Sequence, residues 1–508
     1  MELDRTAGIL LHITSLPGPF GVGDLGEGVD QFLQFMEQAG QSVWQILPLS
    51  PPLYGNSPYS SSSAFAGNPL LISPRGLHRD GWLSHSALRS IQTAAAADSR
   101  CDYGAAYRAK TVLLNRAFLD FRRQGGSQSD AYRAFCCRAA YWLDDFALFI
   151  ALGEKFGTTD WSTWPKELAQ RQPSALEAAR QELEEAIAYH KFVQFAFDSQ
   201  WREVWQQARS RGIRLFGDQP IFVAYGSADV WAHQRLFLLD EAGKPTVVAG
   251  VPPDYFSSTG QLWGNPLYNW EVMRAERYQW WVERLKWAFA WHDAIRIDHF
   301  RGFEAYWEVP AGSKTAVNGR WVAGPGRELF DVARESIDPL NVVAEDLGLI
   351  TPEVHALRDA LGLPGMRVMQ FGFDSDEDTY HRPDAYPQHC VAYTGTHDNN
   401  TMLGWYAHCS AATRQRVEAF LRQQPQELPL HLQFCNMLYE SRAGWTIVPL
   451  QDLLGLGDEA RMNVPGKADG NWAWRCRPDQ LSESLAGQVR HLIESHDRTI
   501  AAPVGAGD

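Results

Sequence analysis

Four acidic side chains stand where short apolar runs of this sequence end, and together they could perform acid–base chemistry. They are Asp218, Asp298, Glu345 and Asp398. Carboxylates that lie close together repel each other, which drives their pKa values apart, so that one stays ionised while its neighbour holds a proton. An ionised carboxylate can act as a nucleophile and a protonated one as a general acid. One such acid would mean little, but four of them indicate a catalytic site.

Two basic side chains accompany these acids. Arg296 lies two residues before Asp298, and side chains two apart on a strand point to the same face. A guanidinium in that position lowers the pKa of the neighbouring carboxyl and keeps it ionised, as a nucleophile requires. Taken alone, the pair fits a structural salt bridge inside the fold equally well. His397, directly before Asp398, makes a purely structural interpretation of the whole set harder.

The adjacent acids Glu345 and Asp346 can place only one side chain in such a site, because neighbouring strand residues face opposite ways. Acids at strand ends often cap a following helix. Here Thr351 and Pro352 form the better helix start, so neither acid is easily explained as a cap. Glu345 is therefore the candidate for the site.

The elements that must position these residues predict an α/β fold of the (β/α)8 TIM-barrel class. Short β-branched runs alternate with helical stretches, and eight runs match the strand number of a closed barrel, whose active site lies at the C-terminal mouth. The predicted strands are Gly8–Thr14, Ser42–Pro48, Arg214–Gln219, Ala294–His299, Asn341–Asp346, Arg367–Phe371, Cys390–Thr396 and Trp445–Leu450.

Two long gaps between predicted strands indicate insertions. Residues 84–199, after the second strand, read as a helical subdomain, and residues 220–270, after the third, as a loop-rich subdomain that covers the cleft. Residues 1–83 and 200–508 then form the barrel, and Pro503–Asp508 should fray. The predicted helical stretches are Tyr107–Arg123, Asp130–Phe156 and Ala175–Arg209.

Loops rich in aromatic and hydroxyl side chains adjoin the predicted mouth. The loop after the second strand carries Tyr54, Ser57 and Tyr59, and the second insertion carries Asp254-Tyr255-Phe256 and Trp263. Aromatic faces stack on the C–H faces of sugar rings, while Ser, Asn and Gln bind sugar hydroxyls. Packing within the loops explains any single aromatic residue at least as well.

Composition excludes several classes of protein. Of 508 residues, 45% are hydrophobic and 21% charged, which is typical of a globular protein. The net charge of −14 disfavours nucleic acid and anionic membranes as partners. The seven cysteines are odd in number and lack a CxxC pair, so free thiols and no metal site are expected. An acidic N-terminus and the lack of an apolar run of about 18 residues predict a cytoplasmic location.

One glycine-rich segment matches the dinucleotide-binding motif in sequence but does not directly follow a predicted strand. Gly21-Val22-Gly23-Asp24-Leu25-Gly26 matches G-x-G-x-x-G, but the dinucleotide-binding fingerprint needs its first glycine directly at a strand end. Here Ser15–Phe20 intervenes. We expect no cofactor.

In their order along the chain, the segments around the four acids resemble the signature regions of the amylomaltases, the 4-α-glucanotransferases related to the α-amylases. The segments are GDQPIFV, RIDHFRG, AEDLG and TGTHDNN. Three further segments are similar to that family, namely GILLHITSLPGPFGVGDLG, YGNSPYSSSSAFAGNPLLI and RMNVPG. The resemblance spans about residues 8–475, nearly the whole chain.

The resemblance implies a role for each matching residue. Asp298 would be the nucleophile, Glu345 the general acid and base, and Asp398 the stabiliser of the distorted sugar. The implied substrate-binding residues are Tyr59, Asp218, Trp263, Arg296, His397, Asn463 and Ser57, with Tyr54 at a more remote sugar site. The loop near Pro252–Asn265 would cover the cleft.

The implied activity is the transfer of α-1,4-glucan segments between maltooligosaccharides through a covalent glucosyl-enzyme, with two inversions that together retain the α configuration. Two alternatives stay open at this point. One is an amylase-type hydrolase on the same barrel. The other is a non-catalytic glucan-binding protein, against which the presence of Asp298, Glu345 and Asp398 argues.

Overall fold

The computed structural model describes residues 1–91, 99–253, 257–377, 379–467 and 469–499. The predicted loop residues Asp254, Tyr255 and Phe256 and the terminal stretch Pro503–Asp508 lie outside these ranges. Within them the strands are β1 Thr6–Leu10, β2 Val43–Gln45, β3 Arg214–Pro220, β4 Val247–Val251, β5 Gln261–Pro266, β6 Ala294–Asp298, β7 Ala305–Pro310, β8 Arg320–Ala323, β9 Val342–Ala344, β10 Gly365–Val368, β11 Cys390–Tyr393 and β12 Trp445–Pro449.

The α-helices of the same described ranges alternate with these strands and also fill the long segment between β2 and β3. They are α1 Glu27–Gln38, α2 Pro74–Arg79, α3 His85–Ser90, α4 Tyr103–Arg123, α5 Asp130–Arg138, α6 Leu143–Phe156, α7 Lys166–Ala169, α8 Pro173–Glu182, α9 Glu184–Ser210, α10 Ala228–Ala232, α11 Trp270–Ala275, α12 Gln279–Phe289, α13 Arg327–Arg334, α14 Pro352–Ala360, α15 Met402–His408, α16 Ala411–Leu421, α17 Leu430–Glu440, α18 Leu450–Leu453 and α19 Glu483–Glu494.

Eight parallel strands form a nearly closed (β/α)8 barrel. Their order in the sheet is β10-β11-β12-β1-β2-β3-β6-β9, which is chain order around a ring. The two ends of this sheet meet where the Ala344 N–H donates to the Pro364 carbonyl at 2.9 Å. The predicted fold class is confirmed, and each of the eight predicted strands overlaps one strand of the barrel.

Several strand ends differ from the prediction. The first predicted strand continues to Thr14, whereas β1 ends at Leu10 and a turn of 3-10 helix, Ile13–Ser15, follows. In the same way β9 ends at Ala344 and β11 at Tyr393. Glu345 and Asp398 therefore lie on the loops that follow the strands. Side chains in these loops need not alternate between the two faces of the sheet.

The helices of the first insertion differ in number from the prediction. The predicted stretch Asp130–Phe156 forms two helices, α5 and α6, because the chain turns between Arg138 and Leu143. The stretch Ala175–Arg209 likewise divides into α8 and α9. Helix α9 runs without a break across the predicted subdomain boundary at residues 199 and 200, so one rigid element joins the helical segment to β3.

A buried ion pair fastens the helical segment to the first barrel loop. Lys110 of α4 donates to Asp24 at 2.8 Å and also to the carbonyls of Leu70 and Ile72, at 2.7 and 3.0 Å. Both charged side chains are almost fully enclosed, with 1% and 6% exposure. An enclosed ammonium is tolerated because each of its three N–H bonds has an acceptor.

A second, antiparallel sheet lies beside the mouth, and the sequence did not predict it. Its strand order is β5-β4-β7-β8. Strands β4 and β5 belong to the predicted loop-rich segment, while β7 and β8 follow the fourth barrel strand, β6. The pairing joins segments that are more than fifty residues apart, for example Gly250 with Trp307, and local sequence patterns carry no information about such pairs. No helix in the described ranges is both long and apolar enough to cross a bilayer.

Candidate active site

Arg296 links two of the four acids at the mouth of the barrel. It is paired in register with Asp218 of the adjacent strand, and its Nε donates to Asp218 Oδ1 at 3.0 Å. Its Nη2 donates to Asp298 Oδ1 at 2.5 Å. The predicted placement of Arg296 and Asp298 on one face is confirmed. Arg296 and Asp218 are enclosed, whereas the Asp298 side chain is 32% exposed, so Asp298 is the acid that a ligand can reach.

Glu345 is fixed next to Asp298 by two backbone N–H groups. Its Oε2 accepts from His299 N at 2.7 Å, and its Oε1 accepts from Leu347 N at 2.9 Å. His299 follows Asp298 directly and has a left-handed backbone with φ of 53°, a conformation that costs a non-glycine residue about 1–2 kcal/mol. This turn aims the N–H at Glu345. Strain of this kind concentrates at functional sites.

Burial raises the pKa values of both acids, and the charge of Glu345 acts on Asp298. Burial raises the pKa of Glu345 to about 6, although Arg296 and the two backbone N–H groups act to lower it. Burial also raises the pKa of Asp298, against the opposing effect of the Arg296 guanidinium, and negative charge on Glu345 raises it further. Two acids of this kind release their protons in two separate steps. Over the pH range between these steps, the pair carries one negative charge and one proton.

Asp398 is held by a segment that follows the last barrel strand. Asn463 Nδ2 donates to Asp398 Oδ1 at 2.6 Å, and Arg461 donates to the Asp398 carbonyl at 2.7 Å. The Asn463 N–H in turn donates to the His397 carbonyl at 3.1 Å. The carboxylate itself is 48% exposed. Asp398 is thus oriented on one side and open on the other, as a group that binds sugar hydroxyls would be.

An aromatic stack forms one wall of the site. The Tyr59 hydroxyl donates to Asp218 Oδ2 at 2.6 Å, and its ring stacks on His397 with 5.0 Å between centroids and 15° between planes. Burial lowers the pKa of His397, which favours a neutral imidazole there. Trp472 lies 6.0 Å from the Tyr59 ring and 5.9 Å from the His397 ring. Sequence reasoning missed Trp472, because it belongs to no motif and reaches the site only through the fold.

Trp263 approaches the site from the second sheet. It lies on β5, is 38% exposed, and meets the His299 ring edge to face at 4.7 Å. Burial lowers the pKa of His299 to about 3, so the imidazole beside the two acids is neutral. The antiparallel sheet thereby places an exposed indole next to the residue that follows Asp298.

Tyr54 and Ser57, two predicted substrate-binding residues, lie on the loop after β2. In the described part of the chain, neither of them contacts one of the four acids. The Tyr54 ring is 67% exposed at the tip of this loop. The Ser57 Oγ accepts from Tyr59 N at 3.3 Å, and Ser57 N donates to the Tyr54 carbonyl at 3.1 Å. Ser57 therefore shapes the loop that carries Tyr59. The roles given to all of these residues stay predictions.

Asp346 faces away from the site, as predicted, although it lies beyond the end of β9 at Ala344. Its Oδ1 accepts from Met366 N at 2.7 Å, and its Oδ2 accepts from the Tyr380 hydroxyl at 3.1 Å and from Arg358. These bonds tie the end of β9 to β10. Asp346 is thus a structural partner of the acid next to it.

A sequence model of the family described as 4-alpha-glucanotransferase matches residues 11–481. The chain belongs to the 4-alpha-glucanotransferase family. Among its relatives, the 4-alpha-glucanotransferase of Thermus thermophilus is 48% identical over 98% of this chain and 100% of the relative. That of Synechocystis sp. is 47% identical over 98% of each chain. The solved amylomaltase from Streptococcus agalactiae in complex with acarbose is 36% identical, covers 98% of this chain and 100% of its own, and superposes with a TM-score of 0.94.

Membership in the 4-alpha-glucanotransferase family confirms the resemblance that the signature segments indicated. The match begins at the residue after β1 and ends two residues before the last helix, α19. It therefore includes seven of the eight barrel strands, the helical segment and the second sheet, and the Streptococcus agalactiae structure shares the fold over 98% of this chain.

Proposed function

We propose that this chain moves α-1,4-glucan segments between maltooligosaccharides by a retaining double displacement at Asp298. One observation carries the proposal: Asp298 is bonded to Arg296, while Glu345, on the next strand of the barrel, is held beside it by the N–H of His299. A nucleophile and an acid on neighbouring strand ends can act on a single glycosidic bond. A retaining enzyme needs its two carboxyl groups about 5–5.5 Å apart.

In the first step the Asp298 carboxylate attacks the anomeric carbon of the donor sugar. The glycosidic bond breaks as Glu345 gives its proton to the departing oxygen, so the leaving glucan gains a free hydroxyl. The donor sugar remains as a β-linked ester on Asp298. Glu345 is left ionised, where its two backbone N–H partners stabilise the charge.

In the second step the sugar returns to the α configuration. Glu345 takes the proton from the 4-hydroxyl of an acceptor glucan, and the resulting oxygen attacks the anomeric carbon. The ester bond breaks, Asp298 recovers its negative charge and Glu345 recovers its proton. If water takes the place of the acceptor, the same step yields hydrolysis.

The charges of the site support this assignment of roles. Arg296 contacts Asp298 and makes no such contact with Glu345, so the single negative charge of the pair is best stabilised on Asp298. The proton then lies on Glu345, whose pKa of about 6 suits a general acid near neutral pH. Asp218 accepts hydrogen bonds from both Arg296 and Tyr59, and in this proposal Asp398 and its partner Asn463 bind hydroxyls of the same sugar.

Transfer rather than hydrolysis requires a site that holds an acceptor glucan and keeps water out. Trp263 is exposed beside His299 and is suited to stack on an acceptor sugar. We also propose that the segment Pro252–Asn265, of which residues 254–256 lie outside the described ranges, covers the cleft. We propose the same limits as the sequence analysis for the two inserted subdomains, residues 84–199 for the helical one and residues 220–270 for the loop-rich one.

Incubation with maltotriose tests the function. A transferase produces glucose and a ladder of longer glucans, while the number of reducing ends stays nearly constant. A hydrolase produces glucose and maltose with a steady rise in reducing ends, which would refute transfer as the main activity. Binding of maltotriose without any turnover would instead identify a glucan-binding protein.

We further propose a cytoplasmic location. The seven cysteines are all free thiols, and free thiols are typical of reducing compartments. Fractionation of the native host, with the protein followed by antibody, tests this location, and recovery in the medium would contradict it.

A further inference from the structure

A second cavity lies outside the active site, between the helical segment and the barrel. Its volume is about 250 Å³, close to the lower end of the range for small-molecule sites, about 300 Å³. The end of α5 contributes Arg138, α9 contributes Arg202, and α12 contributes Glu283, Lys286 and Trp287. The cavity is thus built from elements that are distant in the sequence.

Two guanidinium groups in this cavity share a single carboxylate. Arg138 Nη2 and Arg202 Nε both donate to Asp198 Oδ2, at 2.7 and 2.8 Å. The other oxygen, Oδ1, accepts from the Trp291 indole at 3.2 Å. Both carboxylate oxygens of Asp198 therefore already accept hydrogen bonds. The remaining guanidinium nitrogens, Nε and Nη1 of Arg138 and both Nη atoms of Arg202, have no acceptor in the described part of the chain.

The cavity carries an excess of positive charge. Lys286 donates to Glu283 at 2.9 Å, so three cations face two carboxylates there. The whole chain has a net charge of −14, so a local excess of cations stands out. Arginine pairs with free planar N–H edges are the groups that proteins use to bind phosphate.

Aromatic rings also line this cavity. Tyr141 is half-buried, and its ring lies 5.9 Å from Phe65. Trp142 meets Trp287 edge to face at 5.3 Å. The Tyr141 hydroxyl has no hydrogen bond to the described protein, which leaves it free to bind a sugar hydroxyl. Phosphate-binding donors facing aromatic rings are the combination that a phosphorylated sugar requires.

We propose that this cavity is an effector site for a hexose monophosphate. The phosphate binds the open edges of Arg138 and Arg202, and the sugar ring lies against Tyr141 and Trp287. No residue of this cavity has a part in the transfer reaction described above.

A hydrogen bond connects this cavity to the loop after β2, which carries Tyr59. The Trp287 indole donates to the Phe65 carbonyl at 2.8 Å, and Phe65 follows Tyr59 on the loop after β2. Trp287 also lines a different cavity, whose walls include Tyr59 and Asp218. An occupant that shifts Trp287 therefore acts on the loop that carries Tyr59, so it should change the KM for maltotriose.

Isothermal titration of the full-length protein with glucose 6-phosphate and glucose 1-phosphate tests the proposal, with glucose and inorganic phosphate as separate arms. Arg202→Gln and Arg138→Gln should each weaken binding by about 10- to 100-fold, because each removes charged hydrogen bonds to phosphate. Arg209→Gln, an exposed arginine on the same helix, is the matched control and should bind as the wild type does. All three variants should keep wild-type turnover of maltotriose without the effector.

The outcomes are distinct. Binding of a hexose phosphate that is lost in Arg202→Gln and kept in Arg209→Gln, with a changed KM at saturation, supports the site. No heat with either ester at 20 mM, or binding that Arg202→Gln leaves intact, overturns it. Equal affinity for inorganic phosphate overturns the role of the sugar, and an unchanged KM at saturation overturns the effector role. The maltotriose product ladder is measured without any phosphate ester, so failure here leaves the transferase assignment intact.

Discussion

The assignment of Glu345 as the general acid makes a quantitative prediction for Glu345→Gln. Glutamine keeps the size of the side chain and one acceptor oxygen but cannot give up a proton. Loss of a general acid costs about 10²- to 10⁴-fold in rate, so kcat/KM for maltotriose should fall by that factor. The fold should persist, because the amide oxygen can still accept from the N–H of His299.

The pH dependence follows from the raised pKa of Glu345. An acid with a pKa of about 6 is protonated below that pH and loses its proton above it. At pH 8 about 1% of the free enzyme would still hold the proton. Wild-type kcat/KM for maltotriose should therefore fall about tenfold for each pH unit above 6, and this alkaline limb should be absent in Glu345→Gln.

An activated donor separates the acid from the rest of the site. Fluoride is a leaving group that needs no proton from a general acid. Because Glu345→Gln removes only the general acid, this variant should form the Asp298 ester from α-maltotriosyl fluoride at a rate within about tenfold of wild type. Fluoride release is followed with an ion-selective electrode. Azide needs no general base to act as a nucleophile. Added azide should therefore attack the Asp298 ester of the variant and give the α-glycosyl azide. Glu353→Gln, an exposed acid at the start of α14, is the control.

Two results would refute this reasoning. One is an equal loss of activity with the fluoride and with maltotriose, because Glu345 would then act on something other than the leaving group. The other is an alkaline limb near pH 6 that persists in Glu345→Gln, because another group would then carry the titration.

Three further predictions follow from contacts in the structure. Asp298→Asn should lower transfer by at least about 10⁴-fold with an unchanged circular dichroism spectrum, and a tenth of wild-type activity would exclude Asp298 as the nucleophile. Asn463→Ala removes a hydrogen bond to the charged Asp398, so kcat/KM for maltotriose should drop about 10- to 100-fold, and an unchanged value would deny that bond a role. Lys110→Met leaves Asp24 enclosed without its cation, which should cost about 3–5 kcal/mol of unfolding free energy in urea titrations. Replacing Asp24 by Leu in the same chain should restore much of that loss, and no recovery would contradict the ion-pair explanation.

The sequence by itself determined the barrel and the set of acids. Eight short apolar runs separated by helical stretches are local patterns, and each of them forms a strand because its buried side chains need the neighbouring strands and the covering helices. Asp218, Asp298, Glu345 and Asp398 follow from the same reasoning, because parallel strands place their carboxyl ends at one mouth. Glu345 and Asp346 do bond to different parts of the fold, but they follow the end of β9, so turns of the backbone orient them rather than the alternation of the strand.

Only the tertiary structure decided which atoms meet. The bond from the His299 N–H to Glu345 depends on a left-handed residue after β6, and no local propensity indicates it. Trp472 joins the Tyr59 stack, and β4 pairs with β7, although the partners are far apart in sequence. Patterns of residue type report burial and local conformation, whereas long-range contacts depend on the packing of the whole chain. The cavity at Arg138 and Arg202 is of this second kind, because three separate helices must be packed before its donors face one another.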